Sequence, residues 1–186
     1  MSIFYTVYLV KSSQTEAVAR KFSRVERSEG SEWLICGYGD RYVDGLFEPD
    51  SDFTSQLSRQ FGEVIFIGVD ERDNQFEYEH SREGVLLRKL TWASDGSQST
   101  WMNVQGEKEA WEDALLFSEE NFARALEIVK YDDHLDLLGS EQLIEKQQQL
   151  RAIWDARQYI MDGQWPLGDG TIGMAIPKYF GVNMPT

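Results

Sequence analysis

The clearest pattern of hydrophobic and polar positions lies in residues 63–104, where strand-like runs alternate with turn signals. The run 64–69 is apolar at almost every position, which is typical of a strand buried on both faces. The run 76–80 reads Phe-Glu-Tyr-Glu-His, so aromatic rings alternate with glutamates. That period of two predicts a strand with one face in water and the other in the core.

Two more strands follow at 85–92 and 100–104, and Leu86, Leu90 and Trp92 are expected to share one face of the first. Turns are predicted at Gly84 and at Asp95-Gly96, because glycine adopts the positive φ that tight turns need. Connections this short cannot hold a crossover helix. The four strands should therefore pair in sequence order as antiparallel neighbours.

The region before this meander reads as strand, helix, strand, loop and helix. Residues 3–10 and 32–38 form largely apolar, strand-like runs. Ser13-Gln-Thr-Glu16 matches a capping box, and apolar residues at helical spacing extend the predicted helix as far as Val25. A long Gly- and Asp-rich loop at 39–52 leads to a short helix, 53–61, which ends at Gly62.

Helical patterns dominate after Gly106. A short acidic helix is predicted before Phe117, and Ser118 is a good N-cap for the next helix. A longer helix is predicted from Ser140 to about Ile160, followed by an irregular tail from Asp162.

The sequence therefore predicts an α+β protein with a mostly antiparallel sheet, a mixed sheet being left open. A central four-strand meander should carry helices on one face, and the C-terminal third should be helical. Residues 1–186 are expected to form a single domain, with an optional sub-boundary near 106 between a sheet-rich part, 1–105, and a helical part, 106–186.

Composition narrows the classes of partner. The chain carries 32 acidic against 18 basic residues, a formal charge of −14, which disfavours nucleic acid and anionic lipid but suits a basic protein. No apolar run approaches the roughly 20 residues of a membrane span. The start of the chain lacks the pattern of a signal peptide, and one cysteine fits a reducing compartment, so a soluble cytoplasmic protein is expected.

Candidate chemistry is sparse. Asp132, Asp133, His134 and Asp136 form the densest set of metal-ligand types, but they also fit the exposed end of a helix. We expect no metal or cofactor to be required. His80 is interpreted as a hydrogen-bonded residue of the core or its rim, and Cys36 as a buried, unreactive thiol.

One segment carries a resemblance to a known group. The stretch Trp101-Met-Asn-Val-Gln-Gly-Glu-Lys-Glu-Ala-Trp-Glu112 leads from a strand through a Gly-Glu turn to a Trp-Glu pair. Within Phe61–Phe117 it resembles uncharacterised small bacterial proteins. The resemblance implies no activity and no functional residue.

The leading hypothesis is a non-catalytic binding or protein–protein interaction domain with an acidic surface. Acids concentrate in two stretches: Asp40, Asp44, Glu48, Asp50 and Asp52, and then Glu107, Glu109, Glu112, Asp113, Glu119 and Glu120. Trp111 lies in the second stretch, as an interface anchor or as a core residue with the acids on its wet side.

The expected partner is a basic protein, or a second copy whose stripe of Arg20, Arg24 and Arg27 meets the acids. That stripe also fits a solvated helix face. The alternatives are a carboxylate-based enzyme, with or without a metal, and a protein with a small-ligand pocket walled by aromatic residues.

Overall fold

The computed structural model describes residues 4–39, 42–73, 75–94, 99–131, 140–161 and 171–185. A seven-stranded sheet runs in the order β2-β3-β1-β4-β5-β6-β7, and every neighbouring pair is antiparallel. The strands are β1 Phe4–Lys11, β2 Val25–Arg27, β3 Trp33–Gly39, β4 Glu63–Asp70, β5 Gln75–Arg82, β6 Val85–Ser94 and β7 Ser99–Gly106. The predicted α+β class and the meander β4 to β7 are confirmed.

Five α-helices and one π-helical turn complete the described chain: α1 Thr15–Lys21, α2 Ser55–Phe61, the π-helical turn Glu112–Leu116, α3 Glu119–Tyr131, α4 Ser140–Ala156 and α5 Thr171–Tyr179. None of the helices in the described ranges is long and apolar enough to cross a membrane. The turn predicted at Asp95-Gly96 lies outside the described residues, whereas Gly84 has the expected positive φ of 82°.

The sheet has two covered faces, whereas the sequence placed helices on one. The helical face, which includes Tyr78, Leu90 and Trp101, packs against the π-helical turn and residues of α3, α4 and α5. The opposite face, called here the loop face, packs against α1, α2 and the segment 42–54. Most strands are therefore buried on both sides, which explains why β4 is apolar from Val64 to Val69.

The first helix is shorter than its pattern predicts. It ends at Lys21, and Val25–Arg27 forms the edge strand β2 against β3. Val25 still packs beside Val18 and Cys36, so the same apolar residue serves the core from a strand instead of a helix. Val25 could be buried equally well from a helix or from a strand. The hydrogen bonds between β2 and β3 favour the strand.

The tail contains a helix that the sequence did not indicate. Ile172 and Ile176 are buried at helical spacing in α5, although Pro177 lies within its last turn. Gly173 lets this helix approach the sheet closely, because a Cβ at that position would overlap Val69. The helix predicted to reach about Ile160 ends earlier, at Ala156, and Arg157 follows with a φ of 50°.

Gly106 provides a test of the turn after β7. Its φ is 80°, and a Cβ there would overlap the carbonyl oxygen of Leu87. Gly30 has a similar φ of 73° with nothing within 4 Å. Gly30→Ala should cost about 1–2 kcal/mol, the ordinary penalty of a left-handed residue, and Gly106→Ala about 3 kcal/mol or more. Urea unfolding measures both, and equal losses would contradict the close approach.

Candidate functional site

Three clusters of buried polar residues lie on β5 and β6, and they depend on the register of these two strands. In the described pairing Glu77 lies opposite Thr91, Glu79 opposite Lys89 and His80 opposite Arg88. A register shift at Leu87 places Leu86 opposite Ser81. Leu86 consequently lies on the loop face beside Lys89, and its predicted place on the same face as Leu90 is wrong.

The first cluster, called here the loop clamp, consists of Glu77, Glu79, Lys89 and Asn103 on the loop face. Their side chains hold the segment 42–54, called here the acidic loop. The glutamates were expected to line a wet face of the strand, and both are buried instead, at 0% and 1% exposure. The loop covers them, and alternation along one strand does not show which face a distant segment will cover.

Glu79 accepts three hydrogen bonds from the end of the acidic loop. Its Oε1 accepts the N–H of Phe53 at 2.9 Å, the N–H of Thr54 at 2.8 Å and the hydroxyl of Thr54 at 2.6 Å. Its Oε2 accepts Lys89 Nζ at 3.1 Å. The backbone N–H groups of Phe53 and Thr54 have no neighbouring strand to bind, and the carboxylate of Glu79 accepts both.

Glu77 holds the middle of the same loop. Its Oε2 accepts the N–H of Phe47 at 2.8 Å, and its Oε1 accepts the hydroxyl of Thr91 at 3.0 Å. Burial raises the pKa of Glu77 to about 7, although Lys89, Thr91 and Phe47 act to lower it. Phe47 itself has a φ of 64°, an uncommon value for a residue with a side chain.

Lys89 and Asn103 complete the clamp from β6 and β7. Lys89 Nζ donates to the carbonyl oxygen and the hydroxyl of Ser51, and Asn103 Nδ2 donates to the carbonyl oxygen of Pro49 at 2.6 Å. Apolar packing adds to these bonds, because Leu46 and Phe53 lie against Phe66. The acidic loop is thus fixed at both its donors and its acceptors.

The outer side of the acidic loop carries unneutralised charge. Asp44, Glu48 and Asp50 are exposed and form no ion pair with a basic side chain of the described ranges. Tyr42, at the start of the loop, is 68% exposed. Asp52 is also exposed, and its Oδ1 accepts the N–H of Ser55 at the start of α2.

The second cluster surrounds His80 on the helical face. Its Nδ1 lies 2.5 Å from Glu109 Oε1, and its Nε2 lies 3.0 Å from Glu63 Oε1. Glu109 Oε2 also accepts the hydroxyl of Tyr78 at 2.5 Å and the indole N–H of Trp111 at 3.0 Å. Both ring nitrogens of His80 are engaged, so the expected core or rim role fits this geometry.

The third cluster is a buried ion pair behind the π-helical turn. Arg88 donates from Nε and Nη2 to the two carboxylate oxygens of Glu112, at 3.0 and 2.7 Å. Its Nη1 donates to the carbonyl oxygens of Gln105 and Gly106. Glu112 also accepts the N–H of Glu109 and the hydroxyl of Tyr159. The pair is bidentate and fully hydrogen-bonded, which is the favourable arrangement for buried charge.

Two of the six acids in the second acidic stretch, Glu109 and Glu112, face the interior, and the other four are exposed. Trp111 and Glu112 are fully buried, so the structure corresponds to the core alternative for Trp111 and not to a surface anchor. Glu109 is turned toward His80, whereas Glu107 is exposed. Asp113 forms ion pairs with Lys108 and Arg157. The buried indole of Trp111 has a partner for its N–H, because it donates to the carboxylate of Glu109.

The arginine stripe does not lie on one helix face. Arg20 is on α1, Arg24 follows it, and Arg27 is on β2, because the helix ends at Lys21. All three are exposed, with Arg20 near Glu16, Arg24 bonded to Glu26 and Arg27 to Thr15. These partners are local, so the stripe is a set of separate surface residues.

The remaining candidates divide between buried and undescribed positions. Cys36 is buried, and burial raises the pKa of its thiol to about 12, which agrees with an unreactive side chain. Asp132, Asp133, His134 and Asp136 lie outside the described residues. Within the described ranges no group of three His, Cys, Asp or Glu side chains is arranged to hold a metal ion.

Sequence reasoning missed the loop clamp, although a signal for it exists. Glu-x-Glu on β5 faces Lys-x-Thr on β6, so opposite charges and a hydroxyl become direct cross-strand neighbours once the strands pair. Gly68, opposite Glu77 on β4, leaves room for Leu46, since a Cβ at this glycine would lie 2.7 Å from Leu46 Cδ1.

Comparison with protein-family models, curated proteins and solved structures finds no match to this chain.

The buried pair allows a direct test of its importance. Glu112→Gln should leave the Arg88 guanidinium buried without its counter-ion, at a cost of about 3–5 kcal/mol in the free energy of unfolding. Asp113→Asn, one residue further on, removes an exposed partner and should cost less than about 1 kcal/mol. Urea unfolding measures both variants. Similar losses would show that the described contacts of Glu112 are not formed.

The contacts of His80 with Glu63 and Glu109 predict that the free energy of unfolding falls at acid pH. Burial raises the pKa of Glu109, but hydrogen bonds from His80, Tyr78 and Trp111 outweigh it, and the folded pKa lies below the ordinary value of 4.5. Burial, Arg82 and His80 act on Glu63 with the same net lowering. A lowered folded pKa gives stability that is present above the unfolded pKa and lost as the pH falls through the folded value.

In His80→Gln this acid-dependent loss should become shallower, since the neutral amide lowers both glutamate pKa values less. Urea unfolding at pH 3, 4, 5 and 7 measures the slope. Arg151→Gln is the control, because its partner Glu119 is exposed and contributes little. An unchanged slope in His80→Gln would contradict the cluster.

Proposed function

We propose that this protein is a non-catalytic binding protein whose acidic loop recognises a basic surface on a protein partner. The observation that carries the proposal is the loop clamp, in which buried charged side chains hold an exposed, acid-rich segment in one conformation. A rigid surface loses less conformational entropy on binding than a flexible one. The clamp therefore suits recognition.

The strain in the loop supports the same conclusion. Phe47, which has a φ of 64°, donates its backbone N–H to Glu77. Such a conformation costs of order 1–3 kcal/mol and persists only where the surroundings fix it. Residues of this kind concentrate at ligand and partner sites, so the strain favours a functional loop over a mere connection.

The distribution of charge favours a basic partner. Asp44, Glu48 and Asp50 form no ion pair within the described ranges and lie together on residues 44–50, whereas Asp113 and Glu119 are paired with arginine or lysine. Unpaired like charges on one segment steer an oppositely charged partner and raise its rate of encounter. A second copy is the weaker candidate, since Arg24 and Arg27 already have local partners.

The enzyme alternative receives less support from this geometry. Both oxygens of Glu77 and both of Glu79 already accept hydrogen bonds within the clamp. His80 offers no unengaged ring nitrogen. A general base must reach a substrate proton directly or through one water. Either group would first have to leave its present partners.

The proposal predicts a position-dependent affinity for a basic probe. A triple variant, Asp44→Asn, Glu48→Gln and Asp50→Asn, should bind a fluorescent eight-arginine peptide at least about fivefold more weakly than wild type at low salt. The matched control is Glu29→Gln, Glu141→Gln and Glu145→Gln, which removes the same charge from exposed acids elsewhere. Fluorescence anisotropy in 20 and 300 mM salt provides the measurement.

The control variant should bind within about twofold of wild type, and high salt should remove the difference between all three proteins. Equal weakening by both triple variants would show that only net charge matters. Sizing chromatography at both salts tests the second-copy alternative. A dimer that the loop variant converts to monomer would replace the partner proposal with self-association.

A further inference from the structure

Charges in the loop clamp do not balance. Lys89 is the one cation within reach of Glu77 and Glu79 among the described residues, with Nζ 3.5 Å from Glu77 Oε1 and 3.1 Å from Glu79 Oε2. The three side chains are at most 3% exposed. Two carboxylates and one ammonium group leave one negative charge among buried side chains, which strongly disfavours one of the ionised carboxylates.

The number of hydrogen-bond donors differs between the two carboxylates. Glu79 accepts two backbone N–H groups, the hydroxyl of Thr54 and the nearer contact to Lys89. Glu77 accepts one backbone N–H and the hydroxyl of Thr91. Donors stabilise the ionised form, so Glu77, which accepts fewer of them, is the carboxylate that takes a proton.

We propose that Glu77 is a proton-linked latch of the acidic loop, which it holds closed in its protonated form and loosens when it ionises. Protonated Glu77 can still accept the N–H of Phe47 through its carbonyl oxygen, and its own O–H can donate to Thr91. When the proton passes to bulk water, the closed loop keeps water away from the new charge, and opening at the strained Phe47 hydrates it.

The direction of the pH effect follows from linkage. The pKa of Glu77 is about 7 with the loop closed and returns toward the ordinary 4.5 when the carboxyl is hydrated. The closed loop therefore binds the proton more tightly, and raising the pH between these two values favours opening. Above about pH 7 the opening equilibrium should level off.

Other charged groups around Glu77 do not supply this change. Lys89 faces it from β6 and Glu79 from its own strand, while Asp70 on the same sheet face is hydrogen-bonded to Arg72, which keeps its pKa low. Asp44, Glu48, Asp50 and Asp52 of the loop itself point to solvent. Among these charged groups of the described ranges, Glu77 alone is both buried and short of donors.

The consequence for binding rests on the proposed function. If the acidic loop is the contact surface for a basic partner, the latch makes its rigidity depend on pH near neutrality. The latch itself needs no partner, so it is measured on the protein alone. If the loop does not bind the basic peptide, the proposed proton-linked opening is unaffected. If the loop does not open with pH, the result of the peptide-binding experiment is unaffected.

Hydrogen exchange followed by mass spectrometry tests the latch on the full chain. Exchange is measured at pH 5, 6, 7 and 8 and corrected for the intrinsic chemical rate at each pH. Protection of loop amides 43–54 in wild type should fall by at least about tenfold between pH 5 and pH 8, as a pKa difference of this size allows. Amides of β4 serve as the reference and should not change.

Two variants separate the latch from other causes. Glu77→Gln keeps the carbonyl acceptor but cannot ionise, so its loop protection should not vary with pH. The triple variant Asp44→Asn, Glu48→Gln and Asp50→Asn should keep the wild-type fall. A flat wild-type profile, or an equal fall in Glu77→Gln, would overturn the proposal. If Glu77→Gln does not fold, a carboxyl titration of Glu77 by NMR replaces it, and an ordinary pKa near 4.5 would overturn the latch.

Discussion

The pairing of β5 with β6 is the constraint on which the rest of the structure depends. This register sets Glu79 against Lys89 on the loop face and His80 against Arg88 on the helical face. A slip of one residue would exchange the faces of one strand, and each charged group would lose its partners. Apolar strands tolerate such errors better than these two, because here every buried charge needs a particular neighbour.

The sequence predicted the meander well and its polar side chains poorly. Short connections and turn residues leave little choice but antiparallel neighbours, and the described strands β4 to β7 agree. Whether Glu77 and Glu79 face water depends on where residues 42–54 fold back, which no pattern within β5 records. The spacing of apolar residues does not indicate the bulge at Leu87 either. The bulge moves Leu86 to the other face of the sheet, and no residue type in β6 signals this change.

The segment Trp101–Glu112 shows how a sequence signature can arise from internal contacts. Gly106 permits a close approach to Leu87, Glu109 accepts from His80, and Glu112 pairs with Arg88. Trp111 packs against Tyr78, with the ring centroids 4.8 Å apart. The features that stand out in this segment are therefore those that lock the turn after β7 onto the sheet.

The loop clamp also explains why charge, and not apolar packing alone, covers this face of the sheet. A loop lying on a sheet brings backbone N–H groups into a dry place, and those of Phe47, Phe53 and Thr54 have no ladder partner. Aliphatic side chains at 77 and 79 would leave these donors unsatisfied, at about 1–3 kcal/mol each. Carboxylates supply several acceptors at once, and Lys89 offsets part of their charge while binding Ser51. The uncompensated remainder falls on Glu77, so the solution that satisfies the loop's donors is also what makes its conformation sensitive to protons.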